Sequence, residues 1–117
     1  MSLTGQVTGR WKNSKPSTNG IEQFTLTDDG TNLSLSIRGA EHGFMPDDMG
    51  PLKTTAYSAD GSSTDCIAFH AKGMADGKTY SFAGNVNKGL IIIAIYIEVS
   101  NNEADNFFVR EFFYKLK

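Results

Sequence analysis

The chain has 117 residues, enough for one domain to bury a core without a disulfide or metal staple. A formal net charge of −2 with 21% charged residues argues against a disordered charged tail and against a phosphate-binding surface, so no nucleic-acid partner is expected. The longest apolar run, Leu90 to Ile97, falls well short of the ~18–20 residues that cross a membrane and suits a buried strand, so no membrane partner is expected.

Polar residues follow Met1-Ser2-Leu3, with neither the basic start nor the apolar core of a secretory signal. The first strand is expected over Gln6–Asn13, followed by a polar loop from Ser14 to Gly20 that Pro16 bends. In Ile21–Thr27, Phe24 and Leu26 alternate with Gln23, Thr25 and Thr27, the period of a strand with one wet face. The cluster Asp28 to Asn32 turns the chain into Asn32–Gly39, where Leu33, Leu35 and Ile37 alternate with Ser34, Ser36 and Arg38. The connector Ala40 to Pro51 is long and carries Phe44, Met45 and Met49, as in a lid or as in a plug for one end of the fold.

Further strands are expected over Leu52–Ser58, Cys66–Lys72, Thr79–Val86, Leu90–Ser100 and Asn106–Leu116. Turn clusters Asp60 to Ser63, Ala75-Asp76-Gly77, Asn87-Lys88-Gly89 and Asn101-Asn102-Glu103 separate them. No stretch shows the period of an amphipathic helix, and no repeat or linker divides residues 1–117, which read as a single β-barrel domain. The short connectors make sequential strands antiparallel neighbours. The fold class is therefore all-β, an eight-stranded antiparallel up-and-down barrel whose closure removes exposed edges, with an open two-sheet sandwich as the rival.

Gly9-Arg10-Trp11 on the first strand, with Arg110 on the last, resembles the signature of calycins, the group of lipocalins, fatty-acid-binding proteins and avidins. The resemblance implies a lipocalin-like barrel in which Gly9, Trp11 and Arg110 form a structural latch at the closed end, the guanidinium lying over the indole. The segments Trp11-Lys12-Asn13, Pro16 to Ile21 and Phe108 to Glu111 are similar to a family of small uncharacterised bacterial proteins.

An inward Arg110 brings Phe108, Phe112 and Tyr114 inward too, and leaves Val109 and Phe113 outside with Glu111, Lys115 and Lys117 in water. On the seventh strand an outward Glu98 puts Ile91, Ile93, Ile95 and Ile97 inside, and Ile92, Ala94 and Tyr96 outside. Apolar side chains on both faces of two neighbouring strands call for a second covering surface, expected to be a homodimer through strands seven and eight.

Three functions follow. The first is binding of a small apolar or amphipathic ligand in a lumen lined by Phe24, Leu26, Leu35, Ile37, Phe82, Ile93, Ile95, Phe112 and Tyr114. The second is a solid-core barrel acting as an oligomeric interaction or structural protein. The third is a small isomerase or cyclase using Arg110, Tyr114 and Tyr80. No catalytic residue is assigned, and neither a cofactor nor a metal is expected: His42 with Glu41, Asp47 and Asp48 matches no metal-ligand spacing. Cys66 and His70 share a strand face but stand roughly 13 Å apart, too far for a nucleophilic pair. The single cysteine excludes an intrachain disulfide and makes a reducing cytoplasm the expected location, with a mature secreted form left open.

Overall fold

A computed structural model describes residues 7–28, 32–60, 66–100 and 105–117. Eight strands follow the chain: β1 (Gly9–Asn13), β2 (Ile21–Asp28), β3 (Leu33–Gly39), β4 (Asp48–Tyr57), β5 (Ala68–Ala75), β6 (Lys78–Asn87), β7 (Leu90–Val99) and β8 (Phe107–Lys115). Each pairs antiparallel with the next, and β1 pairs with β8, so the sheet closes into an up-and-down barrel consistent with the calycin architecture. The expected start of the first strand at Gln6 lies outside the described residues.

Local chemistry sets the turns. Asp76-Gly77 and Lys88-Gly89 each place two consecutive residues at positive φ, at 51° and 75° and at 53° and 83°. That is the two-residue turn whose twist matches a hairpin, and glycine takes its second position without steric cost. The fourth and fifth strands differ from expectation, the fifth running from Ala68 to Ala75 rather than from Cys66 to Lys72. The strand β4 begins at Asp48 rather than Leu52, because the register slips between Leu35↔Leu52 and Ile37↔Met49. Gly50 (φ 116°) and Pro51 occupy the slip, and Pro51 has no N–H to give a ladder. The long connector therefore shortens to the segment before Asp48, and Met49 becomes an inward strand residue.

The core runs along the barrel axis. Inward Ile91, Ile93, Ile95 and Ile97 of β7 face Leu33, Leu35 and Ile37 of β3 and Phe24 and Leu26 of β2, all at most 3% exposed. Large rings need small neighbours in a barrel this narrow. At Gly84 an added Cβ would stand 2.2 Å from the Phe69 ring, so β6 yields a side chain there to make room for β5.

The phase of β8 is opposite to that expected. Phe113 is fully buried and Val109 packs on the core, whereas Phe108, Phe112 and Tyr114 are 52%, 39% and 42% exposed and Arg110 is exposed. Phe112 and Tyr114 are thus outer-wall residues, and Glu111 and Lys115 take the inward positions. The reason lies in packing: Phe113 meets Phe24 edge-on at 4.8 Å, filling the closed half of the lumen.

Candidate functional site

Seven of the residues expected in the lumen are there: Phe24, Leu26, Leu35, Ile37, Phe82, Ile93 and Ile95. They interlock. The Phe24 ring stacks on Trp11 at 6.1 Å and tilts against Phe69 at 6.2 Å, and Tyr80 stacks on Phe82 at 6.3 Å. With Phe69 pressed on the Gly84 backbone, the middle layer is filled by side chains.

The Ala40 to Asp47 connector closes the other end as a plug. Met45 and Met49 are 4% and 9% exposed, and the half-buried Phe44 packs edge-on against Phe107 at 5.5 Å. Its backbone is tied to the β1–β2 loop: Phe44 N donates to Asn19 O (2.9 Å), Ala40 N to Gly20 O (2.8 Å). The Tyr80 hydroxyl donates to Phe44 O at 3.3 Å, and burial, then the Asp76 carboxylate, push that hydroxyl above its ordinary pKa.

The latch forms with a different cation. Lys115 places Nζ 5.7 Å from the centroid of the Trp11 ring, and the indole N–H donates to Val7 O at 3.0 Å. Gly9, at φ 125°, lets the lysine stem pass: a Cβ there would stand 2.9 Å from Lys115 Cε. Arg110 lies outside, its guanidinium 5.8 Å from the Phe112 ring. The phase of β8 moves the cation–π role from Arg110 to Lys115.

The same phase draws in a carboxylate that an inward Arg110 would leave in water. Glu111 accepts hydrogen bonds from Asn13 Nδ2 (2.8 Å), Ile21 N (2.8 Å) and the Thr18 hydroxyl. Asn13, 4% exposed, also donates to Ile21 O at 2.9 Å and accepts from Lys15 N at 2.8 Å. Glu111 therefore clamps the β1–β2 loop onto the barrel wall. The only signal in the sequence was its spacing of two from Phe113.

Candidate catalytic groups are not brought together. Tyr80 is buried and bonded, whereas Arg110 and Tyr114 face outward. His42 and Glu41 meet at 3.5 Å, both 90% exposed, and among the described residues no group of three His, Cys, Asp or Glu could hold a metal ion. Cys66 is buried, bonds Ala68 O at 3.3 Å, and has its thiol pKa raised by burial. A cleft of about 310 Å³ lies on the outer wall beside Lys12, Lys15, Glu22 and Glu41, with charges of both signs.

The outer face of β7 and β8 is the most unusual surface. Tyr96 (49% exposed) lies against Phe108 with ring centroids 5.0 Å apart. The cross-strand pairs Ala94↔Arg110 and Ile92↔Phe112 continue the band, and Tyr114 extends it toward Lys12 of β1. Elsewhere the outer wall is mostly polar, with Thr25, Ser36, Arg38, Lys53 and Lys72. Among the described residues no helix is long and apolar enough to cross a membrane. In comparisons with known proteins, no family model, curated sequence or solved structure matches the chain.

Proposed function

We propose that this calycin-like barrel is a protein-interaction module with a packed lumen, pairing with a second copy of itself through β7 and β8. One observation carries the reading: the aromatic band of Tyr96, Phe108, Phe112 and Tyr114, each 39–52% exposed, on a wall that is otherwise mostly polar. Such a band loses its contact with water when a partner covers it. It is also chemically self-complementary, because Arg110 sits between Phe108 and Phe112. Each copy offers both a guanidinium and the ring faces that attract one. The band is confined to one side of the barrel, whereas a lipid-facing barrel needs an apolar girdle all round. The interlocked rings of the lumen favour interaction over small-molecule storage, although closed barrels of this kind are compatible with an internal ligand. A single buried thiol fits a reducing cytoplasm.

Size-exclusion chromatography with light scattering tests this. The expected mass is twice 12.8 kDa, falling to the monomer when Tyr96→Ser and Phe108→Ser are combined. A monomer throughout the concentration series overturns the reading. A small molecule retained one per barrel in native mass spectrometry replaces it with lumen binding.

A further inference from the structure

The seam that closes the barrel is complete at one end only. The strand β8 pairs with β7 from Phe107 to Phe113, but with β1 only from Phe113 to Lys115. Past Asn13 the first strand leaves the wall. Ser14 N still donates to Phe112 O at 2.8 Å, and then Lys15 N turns back to Asn13 Oδ1 at 2.8 Å. The carbonyl of Phe112 thus points toward β1, and antiparallel alternation sends the N–H and C=O of Phe108 and Arg110 the same way. No described residue pairs with those groups.

Burial marks the same opening. The inward residues of β7 at this level, Ile93, Ile95 and Ile97, are at most 1% exposed. Their partners on β8 are less covered: Phe107 is 40% exposed, and Val109 and Glu111 are half-buried. A cleft of about 90 Å³ between Asn13, Lys15 and Phe112 lies where the two strands part. An unpaired edge of this kind is a template for one more strand.

We infer that the second copy docks by strand addition, β8 against β8 in antiparallel register about Val109, joining the two barrels into one continuous sheet. This rests on the dimer reading above: strand addition brings the Phe108 and Arg110 stretch of the band in each copy beside that of the other, with Tyr96 and Tyr114 at the rim of the joint. The register follows from the groups available. Phe112 O is already taken, so the edge offers Phe108 and Arg110, and a two-fold axis at Val109 pairs Phe108 with Arg110 of the other copy in both directions. Four backbone hydrogen bonds result, and each outward Arg110 side chain comes beside the partner's Phe108 ring, where cation and ring face attract. Phe107, Val109 and Glu111 line the inner side of the junction.

Proline at an edge position removes one N–H without touching the ladder on the other side. Arg110→Pro is therefore compared with Arg110→Ala, which loses the same guanidinium but keeps the N–H. Both are followed by light scattering and checked for folding by circular dichroism. The expected result is at least a tenfold greater rise in dimer dissociation constant for Arg110→Pro than for Arg110→Ala. Equal behaviour of the two, with dimers still lost on Tyr96→Ser/Phe108→Ser, overturns strand addition and leaves face-to-face pairing standing. A wild-type monomer sinks both. Should Arg110→Pro not fold, Val109→Cys in a Cys66→Ser background decides. Rapid disulfide-linked dimers on mild oxidation support the register, because residue 109 then faces its own copy. Their absence in a protein that remains dimeric overturns it.

Discussion

The clamp at Glu111 makes a quantitative prediction. In Glu111→Ala, three donors lose their acceptor: Asn13 Nδ2, Thr18 Oγ1 and Ile21 N. Asn13 keeps Ile21 O, and the threonine hydroxyl can turn to water. Ile21 N has no such choice, because Ile21 is fully buried. An orphaned buried donor costs about 1–3 kcal/mol, and each hydrogen bond to a charged group contributes about 1.5–3 kcal/mol, reduced here because the carboxylate is only half-buried. Together these give a loss of about 3 kcal/mol. With a urea m-value of about 1.5 kcal/mol per molar for a domain of this size, the unfolding midpoint falls by about 2 M. Glu111→Gln keeps one acceptor oxygen but turns an amide N–H₂ toward the donors, and its midpoint lies between the two. Thr18→Ala combined with Glu111→Ala shows coupling, since both act on one network. A midpoint within about 0.5 M of wild type for Glu111→Ala, at unchanged m, refutes the clamp.

Lys115→Ala lowers stability by about 0.5–1 kcal/mol through the lost cation over Trp11, whereas Arg110→Ala in the monomer changes it by less than about 0.5 kcal/mol. Chemical denaturation at low protein concentration compares the two, and the reverse order restores the arginine latch. Gly84→Ala drives a Cβ into the Phe69 ring and costs about 2–3 kcal/mol, read as a drop in Tm, while Gly84→Ala with Phe69→Leu recovers part of it. The Tyr80 hydroxyl, raised by burial and then by Asp76 above its ordinary 10.0, stabilises the fold through its neutral form. That contribution is fully present below pH 10 and is lost as pH rises through the raised folded value. Thermal melts from pH 8 to pH 11.5 show a decline at the alkaline end that is shallower in Tyr80→Phe.

Period-two alternation made most of the barrel legible. Where one face of a strand is wet, as in Leu33-Ser34-Leu35-Ser36-Ile37, the phase follows from the residues alone, and in β7 the outward Glu98 settles it. The lumen residues on β2, β3, β6 and β7 were therefore readable. Met49 was not, since its place in β4 depends on the bulge at Gly50-Pro51, which sequence spacing reads as a turn. The plug formed by Phe44 and Met45 was readable as apolar residues in a connector. Its attachment to Asn19 and Gly20 is a contact between two loops and has no periodic signature.

The strand β8 failed for a stricter reason: both its faces are apolar. Phe108, Phe112 and Tyr114 alternate against Phe107, Val109 and Phe113, so pattern alone leaves two phases. Arg110 pairs with the outward Ala94, so burying it would need β8 to slip by one residue and would set a guanidinium beside the inward, apolar Ile93 or Ile95. Burying Glu111 is tolerated, because β1 departs at Ser14 and brings Asn13, Thr18 and Ile21 N to the carboxylate. The departing chain turns at Lys15, whose N–H bonds Asn13 Oδ1 and whose carbonyl accepts from Thr18 N, and it leaves the Phe108 and Arg110 edge without a strand among the described residues. The inward charge, the polar loop and the open edge are thus one feature, since Asn13, Thr18 and Ile21 N reach Glu111 at the start, middle and end of the loop by which β1 leaves β8. A loop redesigned to extend β1 alongside Arg110 would have to expel Glu111, and the barrel would gain a closed seam by losing its docking edge.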